Sequence, residues 1–221
     1  LGFFDKMARA DVFVLLDNVP FTKGGYQNRV QIKGPSGPFW LTVPVVTKGR
    51  LGQNTLDVQI NKTVAWKRRH MGSLRAAYGS APGFHTLIAR LQDIYSLEVD
   101  KLVDFTIPGI LLLKELLGVD TPVVRASQLG VTGSGSQLLC DIVKQLGGTV
   151  YLSGPSGRKY LDPSFFEREG IRVEYHSFEA FEYPQRFGAF TPGLSALDYL
   201  ANDPGAKLWH ARRQAAAGRR E

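Results

Sequence analysis

Few folds accommodate the run TVYLSGPSGRKYLDPSFFEREGIRVEYHSF, Thr149 to Phe178. TVYLSG reads as a short strand, PSGRKYLD as a glycine-containing loop, PSFFEREG as a short helix and IRVEYHSF as a second strand. Asp162-Pro163 supplies an N-cap with proline at the first helical position, and Gly170 supplies the stop. Strand, loop, helix, strand is a βαβ unit, which normally closes as a right-handed parallel crossover. Ahead of it, SGSQLLCDIVKQLGG places Leu138, Leu139, Ile142, Val143 and Leu146 on one helical side before a glycine stop.

The remaining chain alternates helix and strand signals. Phe3, Phe4, Met7 and Ala8 give a short helical face, followed by DVFVLLDNV, an apolar run typical of a buried strand. RVQIKGPSGPFWLTVPV predicts a β-hairpin about a Gly-Pro-Ser-Gly-Pro turn, and the alternation in LDVQIN predicts a further strand. TVAWKRRHMGSLRAAYG and APGFHTLIARLQDIY carry apolar residues at helical spacing. VDKLVDFTIPGILLLKELLG predicts a third helix, kinked or split at Pro108-Gly109 because proline lacks a ladder donor. Spacing alone therefore gives an α/β protein with one or two ligand loops.

At 221 residues, 43% apolar and 11% aromatic, the chain has a globular composition. Its formal charge of +7 suits an anionic partner such as nucleic acid, a phosphorylated metabolite or a membrane headgroup. Much of that excess is terminal, because HARRQAAAGRRE carries four arginines against one glutamate. Cys140 is the one cysteine, so no disulfide forms within the chain, which suits a reducing cytoplasm. Its apolar helical neighbours mark it as a buried structural thiol. No signal peptide is visible, and no apolar run reaches the ~18 residues of a membrane span. LVDFTIPGILLLKELLG comes nearest, interrupted by Asp104, Pro108, Lys114 and Glu115.

Five sets of residues are candidates for chemistry. In the Ser153–Gly157 loop, glycines let main-chain N–H groups converge, and Ser153, Ser156, Arg158, Lys159 and Tyr160 add polar side chains. The loop should sit at the carboxyl end of a strand, where open α/β sheets bind ligands; the alternative is a plain connector. GGYQNRV offers Tyr26, Gln27, Asn28 and Arg29 for a carboxylate, phosphate or sugar hydroxyl, unless it is a solvated hairpin edge. Asp17 ends an apolar strand as a base or an Asx-turn residue. His70 lies among Lys67, Arg68 and Arg69, which would keep it neutral and able to accept a proton. His85, His176 and His210 are scattered, and no His/Cys/carboxylate spacing suggests zinc. Glu179, Glu182, Gln185 and Asp198 lie among aromatics, lining a sugar pocket or packed into a C-terminal segment. There is no Walker loop, dinucleotide fingerprint, G-x-S-x-G elbow or H-E-x-x-H.

Taken in order, LGFFDKMARADVFVLLDNVPF, YQNRVQI, FWLTVPV, the W-K-R-R-H helix, YLSGPSGRKYLD and IRVEYHSFEAFEYPQRFGAFTPGLSALDYL resemble the WbqC-like family of bacteria, from Leu1 to about Asp203. Family members usually carry a His-Gln-Pro-x-Tyr-x-Pro-Trp-like segment ahead of the LGFF equivalent. The resemblance implies transfer of glycine or a related amino acid onto an amine, typically of an amino sugar, in O-antigen, polysaccharide or natural-product biosynthesis. The architecture expected is one α/β domain over 1–206, with a Rossmann-like, mainly parallel sheet flanked by helices. A β-hairpin and a helical subregion at about 62–118 complete it, and 207–221 forms a basic tail.

An amide cannot form from a free carboxylate and an amine in water without an activated acyl group. ATP could supply it as an acyl adenylate. An aminoacyl-tRNA would bring it ready-made, as a polyanion suited to a +7 chain. The lack of an acidic Mg²⁺ cluster or P-loop favours the ready-made donor. Rival readings are an ATP-dependent ligase or nucleotidylyltransferase-like enzyme, and a non-catalytic module for a nucleotide sugar or RNA. On the transferase reading, Ser153, Gly154, Ser156 and Gly157 hold the donor's phosphate or developing oxyanion. Asp17 or His70 takes the proton from the amine. Asn28, Arg29, Tyr160 and Glu182 orient the acceptor, with Tyr26 and Gln185 completing the substrate contacts, all in one shared pocket.

Overall fold

The computed structural model describes residues 1–50, 52–203 and 205; the basic tail 207–221 and His210 lie outside the described residues. In chain order the elements are α1 (Gly2–Ala8), β1 (Phe13–Leu15), β2 (Arg29–Gly34), β3 (Gly37–Thr42), α2 (Trp66–Tyr78), α3 (Phe84–Ser96) and α4 (Leu102–Leu116). There follow β4 (Val123–Arg125), α5 (Gly135–Gln145), β5 (Val150–Ser153), α6 (Ser164–Arg168), β6 (Arg172–Tyr175) and α7 (Ala196–Asn202). The fold is mixed α/β, in two compact units. The first comprises Leu1, Pro20–Asp120 and the chain from Ala180 onward; the second comprises Gly2–Val19 and Thr121–Glu179.

The expected α/β character is present, but among the described residues the strands do not join into one sheet. Among the described residues the strands make three separate two-stranded pairs: β1 with β4 and β5 with β6 in parallel, β2 with β3 antiparallel. The βαβ unit predicted over Thr149 to Phe178 is present, with Val150 opposite Arg172 and Ser153 opposite Tyr175. The LDVQIN strand is absent. Asn54 accepts a hydrogen bond from Leu56 N and starts a 3-10 turn over Thr55–Asp57, leaving only single bridges at Gln59 and Ile60.

In the second unit α5 has two apolar flanks. Leu138 and Ile142 pack with Ala126, Val14 and Val19, while Leu139 and Cys140 pack with Phe166, Ile171 and Tyr151. One helix thus serves the side chains of both parallel pairs. Cys140 is buried, as expected of a structural thiol. Tyr151 stacks on Phe166 with rings 5.1 Å apart.

The first unit has its core at Trp66, edge-on to Phe105 at 4.8 Å and surrounded by Val43, Val58, Ile60 and Leu102. All three helices predicted in this region form. α4 runs unsplit through Pro108, with Leu102, Val103, Phe105 and Leu112 buried along it. Burial of that apolar face offsets the roughly 3 kcal/mol that an interior proline costs. The hairpin forms with Gly34 opposite Gly37, and Gly37 takes φ +101°, a conformation a side chain would oppose.

The segment after Ala180 is packed. Asp198 is fully buried, and its carboxylate accepts from Tyr78 Oη and Tyr183 Oη, both at 2.7 Å. Tyr78 Oη in turn accepts from Lys33 N at 3.2 Å. The buried Lys33 ammonium donates to Ala189 O and, at 3.3 Å, to Gln185 Oε1. Burial pushes the Asp198 carboxyl up, against the two phenol hydrogen bonds and the Lys33 charge. Tyr78→Phe strips a partner from both Asp198 and Lys33 N. Denaturant unfolding should show a loss of about 1–3 kcal/mol; an unchanged midpoint would mean the network contributes nothing.

Candidate functional site

In the second unit the chain leaves β5 at Ser153 and tightens at once into a 3-10 turn over Pro155–Lys159. Gly157 N donates to Gly154 O at 3.0 Å, and Leu161 N donates to Gly157 O at 2.9 Å. Ser153 is buried beneath this turn, its hydroxyl donating to Gly154 O at 3.0 Å. A Cβ at position 157 would sit 2.0 Å from Ser153 Oγ and 2.9 Å from Leu161 Cδ1, so a side chain there would force both neighbours to shift. Ser156, Arg158, Lys159 and Tyr160 are exposed on its outer side, and the Arg158 guanidinium lies 4.0 Å from the centre of the Tyr175 ring. The expected ligand loop is thus a tight turn in which Ser153 supports and Ser156 is presented. Tyr151, on the strand below, is pushed up to about 12 by burial, with the Tyr160 phenol adding and the Ser153 hydrogen bond opposing.

Directly after β6, His176 N donates to Ser153 O at 2.8 Å, which fixes the histidine beside the turn. Its buried ring places Nε2 2.6 Å from Asp5 Oδ2. Asp5 lies on α1, and the same oxygen pairs with Arg9 Nε at 2.9 Å, one helical turn on. A nitrogen facing a carboxylate carries the ring proton, which leaves Nδ1 with the basic lone pair. Reading the sequence missed this pair. His176 counted as one of several scattered histidines and Asp5 was not singled out, because 171 positions separate them. The available signal was positional: a histidine at the carboxyl end of the second strand of a βαβ unit.

Asp17, just past β1, is a latch. Its carboxylate accepts from Arg125 Nε at 2.7 Å, Ser127 N at 2.8 Å and Ser127 Oγ at 2.7 Å. Burial alone would raise its pKa, but the Ser127 and Arg125 hydrogen bonds and the Arg125 charge together hold it below the usual 3.8. A carboxylate so occupied is a weak base.

In the first unit His70 is also occupied. Nε2 lies 3.0 Å from Thr42 O and so carries the proton, while Nδ1, 3.1 Å away, accepts from Tyr95 Oη. Burial lowers its pKa against the Thr42 contact, so the expected neutral form holds through burial rather than through neighbouring cations. Asn28 is buried, donating Nδ2 to Val43 O at 2.9 Å, with Oδ1 unpartnered. Arg29 lies with its guanidinium 4.1 Å from the Trp40 ring centre, and Nη2 donates to Gly24 O. The Tyr26 ring is 5.6 Å from that of Trp40. Gln185 is tied to Thr191 through both ends of its amide, and Glu182 is exposed. A cavity of about 190 Å³ near the start of α2 is lined by Lys62, Lys67, Arg68 and Glu98, among others. Lys62 pairs with Asp100 and Lys67 with Glu98, so those charges are matched.

The candidate residues therefore fall into two sets. Asp17, Ser153, Gly154, Ser156, Gly157 and Tyr160 belong to the second unit; Tyr26, Asn28, Arg29, His70, Glu182 and Gln185 belong to the first. Among the described residues no group of three His, Cys, Asp or Glu side chains could hold a metal ion, and no helix is long and apolar enough to cross a membrane.

The WbqC-like protein family matches residues 1–208. The chain belongs to this family. It is 32% identical over 203 residues to an uncharacterized protein of Mycobacterium tuberculosis, Rv1507c, covering 91% of this chain and 87% of the relative. No solved structure matches.

In this WbqC-like chain the Asp17 latch has a pH signature. Its folded pKa lies below the unfolded value, so its stabilisation is complete above that value and is lost as pH falls through the folded pKa. Asp17→Asn should lower unfolding free energy by about 2–4 kcal/mol at neutral pH. In parallel denaturant titrations the gap to the parent should narrow on acidification through the carboxylate range; a gap independent of pH would contradict the latch.

Proposed function

We propose that the second unit is an acyl-transfer site that forms an amide on an amine acceptor, with His176 as the general base. The observation carrying this reading is the Asp5-held imidazole, 2.6 Å from its carboxylate, tied through its own backbone to the Ser153 turn. The amine nitrogen attacks the activated acyl carbon, its proton passes to His176 Nδ1, and the bond from acyl carbon to the donor oxygen breaks. The carbonyl oxygen turns anionic in the tetrahedral intermediate. The exposed Ser156 hydroxyl and the Gly154 N–H are the groups assigned to hold it, with Arg158 adding positive charge, while the Gly157 N–H is spent on Gly154 O inside the turn. Asp5 steadies the imidazolium that forms. Ser153 is a positioning residue, since its hydroxyl is spent inside the turn.

The acyl group proposed is glycine or a related amino acid, and the acceptor an amino sugar or biosynthetic amine, as the resemblance to WbqC-like proteins implies. Two donors fit that chemistry: an aminoacyl-tRNA, or an adenylate made from ATP. A Rossmann-like arrangement is proposed only for the β5–α6–β6 portion, where parallel strands flank a turn and a helix. The reducing compartment suited to a lone buried thiol makes the cytoplasm the proposed location.

Mass spectrometry of candidate amine intermediates incubated with the protein, glycine, ATP and charged tRNA, each omitted in turn, should reveal the amide product. His176→Gln should reduce its formation by about a hundredfold or more while the fold is kept, and Asp5→Asn should reduce it less. Unimpaired turnover in His176→Gln would remove the assigned base. Amino-acid-dependent exchange of pyrophosphate into ATP would identify the adenylate route.

A further inference from the structure

The hairpin of the first unit carries features that acyl transfer does not use. Strand alternation puts Arg29, Gln31, Trp40 and Thr42 on one face, with Arg29 opposite Thr42 and Gln31 opposite Trp40. On that face the Arg29 guanidinium lies over the Trp40 ring, anchored by its hydrogen bond to Gly24 O. Tyr26 leans against the same indole while remaining 74% exposed, and Trp40 itself is 37% exposed. Exposed aromatic rings of this size lose the benefit of burial, and a cation held over one of them adds a planar, charged surface.

Charge points the same way. No Asp or Glu occurs between Asn18 and Leu56, whereas Lys23, Arg29, Lys33, Lys48 and Arg50 do. Lys33 is spent inside the fold, but Lys23, Lys48 and Arg50 are exposed and enter no ion pair among the described residues. A small ligand would need a concave site that encloses most of its surface. An open shelf of rings with dispersed cations suits a chain that crosses it, presenting flat bases and repeated negative charge.

We infer that this hairpin face binds single-stranded nucleic acid, an unpaired base stacking on Tyr26 and the Arg29–Trp40 pair while Lys23 and the acid-free loops draw the phosphates. The residues invoked here belong to the first unit and those of the proposed transfer chemistry to the second, and binding is read without turnover, so failure of either reading leaves the other intact.

The test uses the full chain and fluorescence anisotropy with a labelled single-stranded RNA of about ten nucleotides. An abasic strand of equal length and charge serves as comparison, since it reports every purely electrostatic contact. The base-bearing strand should bind about tenfold tighter or more. Tyr26→Ala should reduce that preference, and Tyr26→Ala with Trp40→Ala should erase it, while affinity for the abasic strand stays unchanged. Tyr26 is so exposed that its variant should fold normally, which circular dichroism would verify. Equal binding of the two strands, a preference surviving in the double variant, or tighter binding of duplex RNA would overturn the proposal. So would displacement by adenosine monophosphate at concentrations comparable to the strand, which would mark a small-ligand site instead.

Discussion

The turn at the end of β5 packs Ser153 and Leu161 against a residue 157 that has no side chain. Gly157 sits where any Cβ would meet the Ser153 hydroxyl at 2.0 Å, and that hydroxyl is itself turned inward onto Gly154 O. The parallel β5–β6 ladder runs up to this turn. Ser153 O is left to receive His176 N, which fixes where β6 delivers its histidine. Helix α1 then brings Asp5 to the ring, and Arg9 pairs with the same carboxylate oxygen. On the proposed transfer reading, a larger residue at 157 would act by displacing Ser153 and with it the contact that holds His176.

Occupancy separates the polar residues that hold the fold from those left for function. Asp17 accepts three hydrogen bonds and His70 has both nitrogens engaged, so each is committed to structure. Asp198 and Lys33 are committed as well, through phenols and carbonyls drawn from distant parts of the first unit. Buried charges of this kind stay only where partners satisfy them. His176 differs, because its carboxylate takes one nitrogen and leaves the other its basic lone pair. Arg29 differs too: stacking on Trp40 and one carbonyl contact fix its plane and leave donors over.

Local signals in the sequence were sound where neighbours along the chain decide the outcome. The β5–α6–β6 order, the hairpin about Gly34 and Gly37, the helices α2 to α5 and the burial of Cys140 all follow from spacing, turn residues and apolar periodicity. LDVQIN misled because one side-chain oxygen on Asn54 redirected the backbone into a turn before alternation could act. Of the two outcomes expected at Pro108, a split did not occur, because burial of the α4 face outweighs the local penalty. Pairings across long separations left no mark: β1 finds β4 more than a hundred residues on, and Asp5 finds His176 farther still. The candidate loop was legible as a place and its internal division of labour was not, since which serine faces inward depends on atoms of a turn that spacing does not resolve. Trp40 escaped notice because an aromatic in a strand is ordinarily core, and only the register sets it on the face with Arg29.

The proposed transfer depends on which ring nitrogen of His176 is bare. Long-range proton–nitrogen NMR of the histidine ring, recorded at a pH where the ring is neutral, reads this directly. The expected result is a ring protonated at Nε2 with an unprotonated Nδ1, and a shift in that tautomer balance when Asp5→Asn removes the carboxylate. A ring protonated at Nδ1, or a balance indifferent to Asp5, would contradict it.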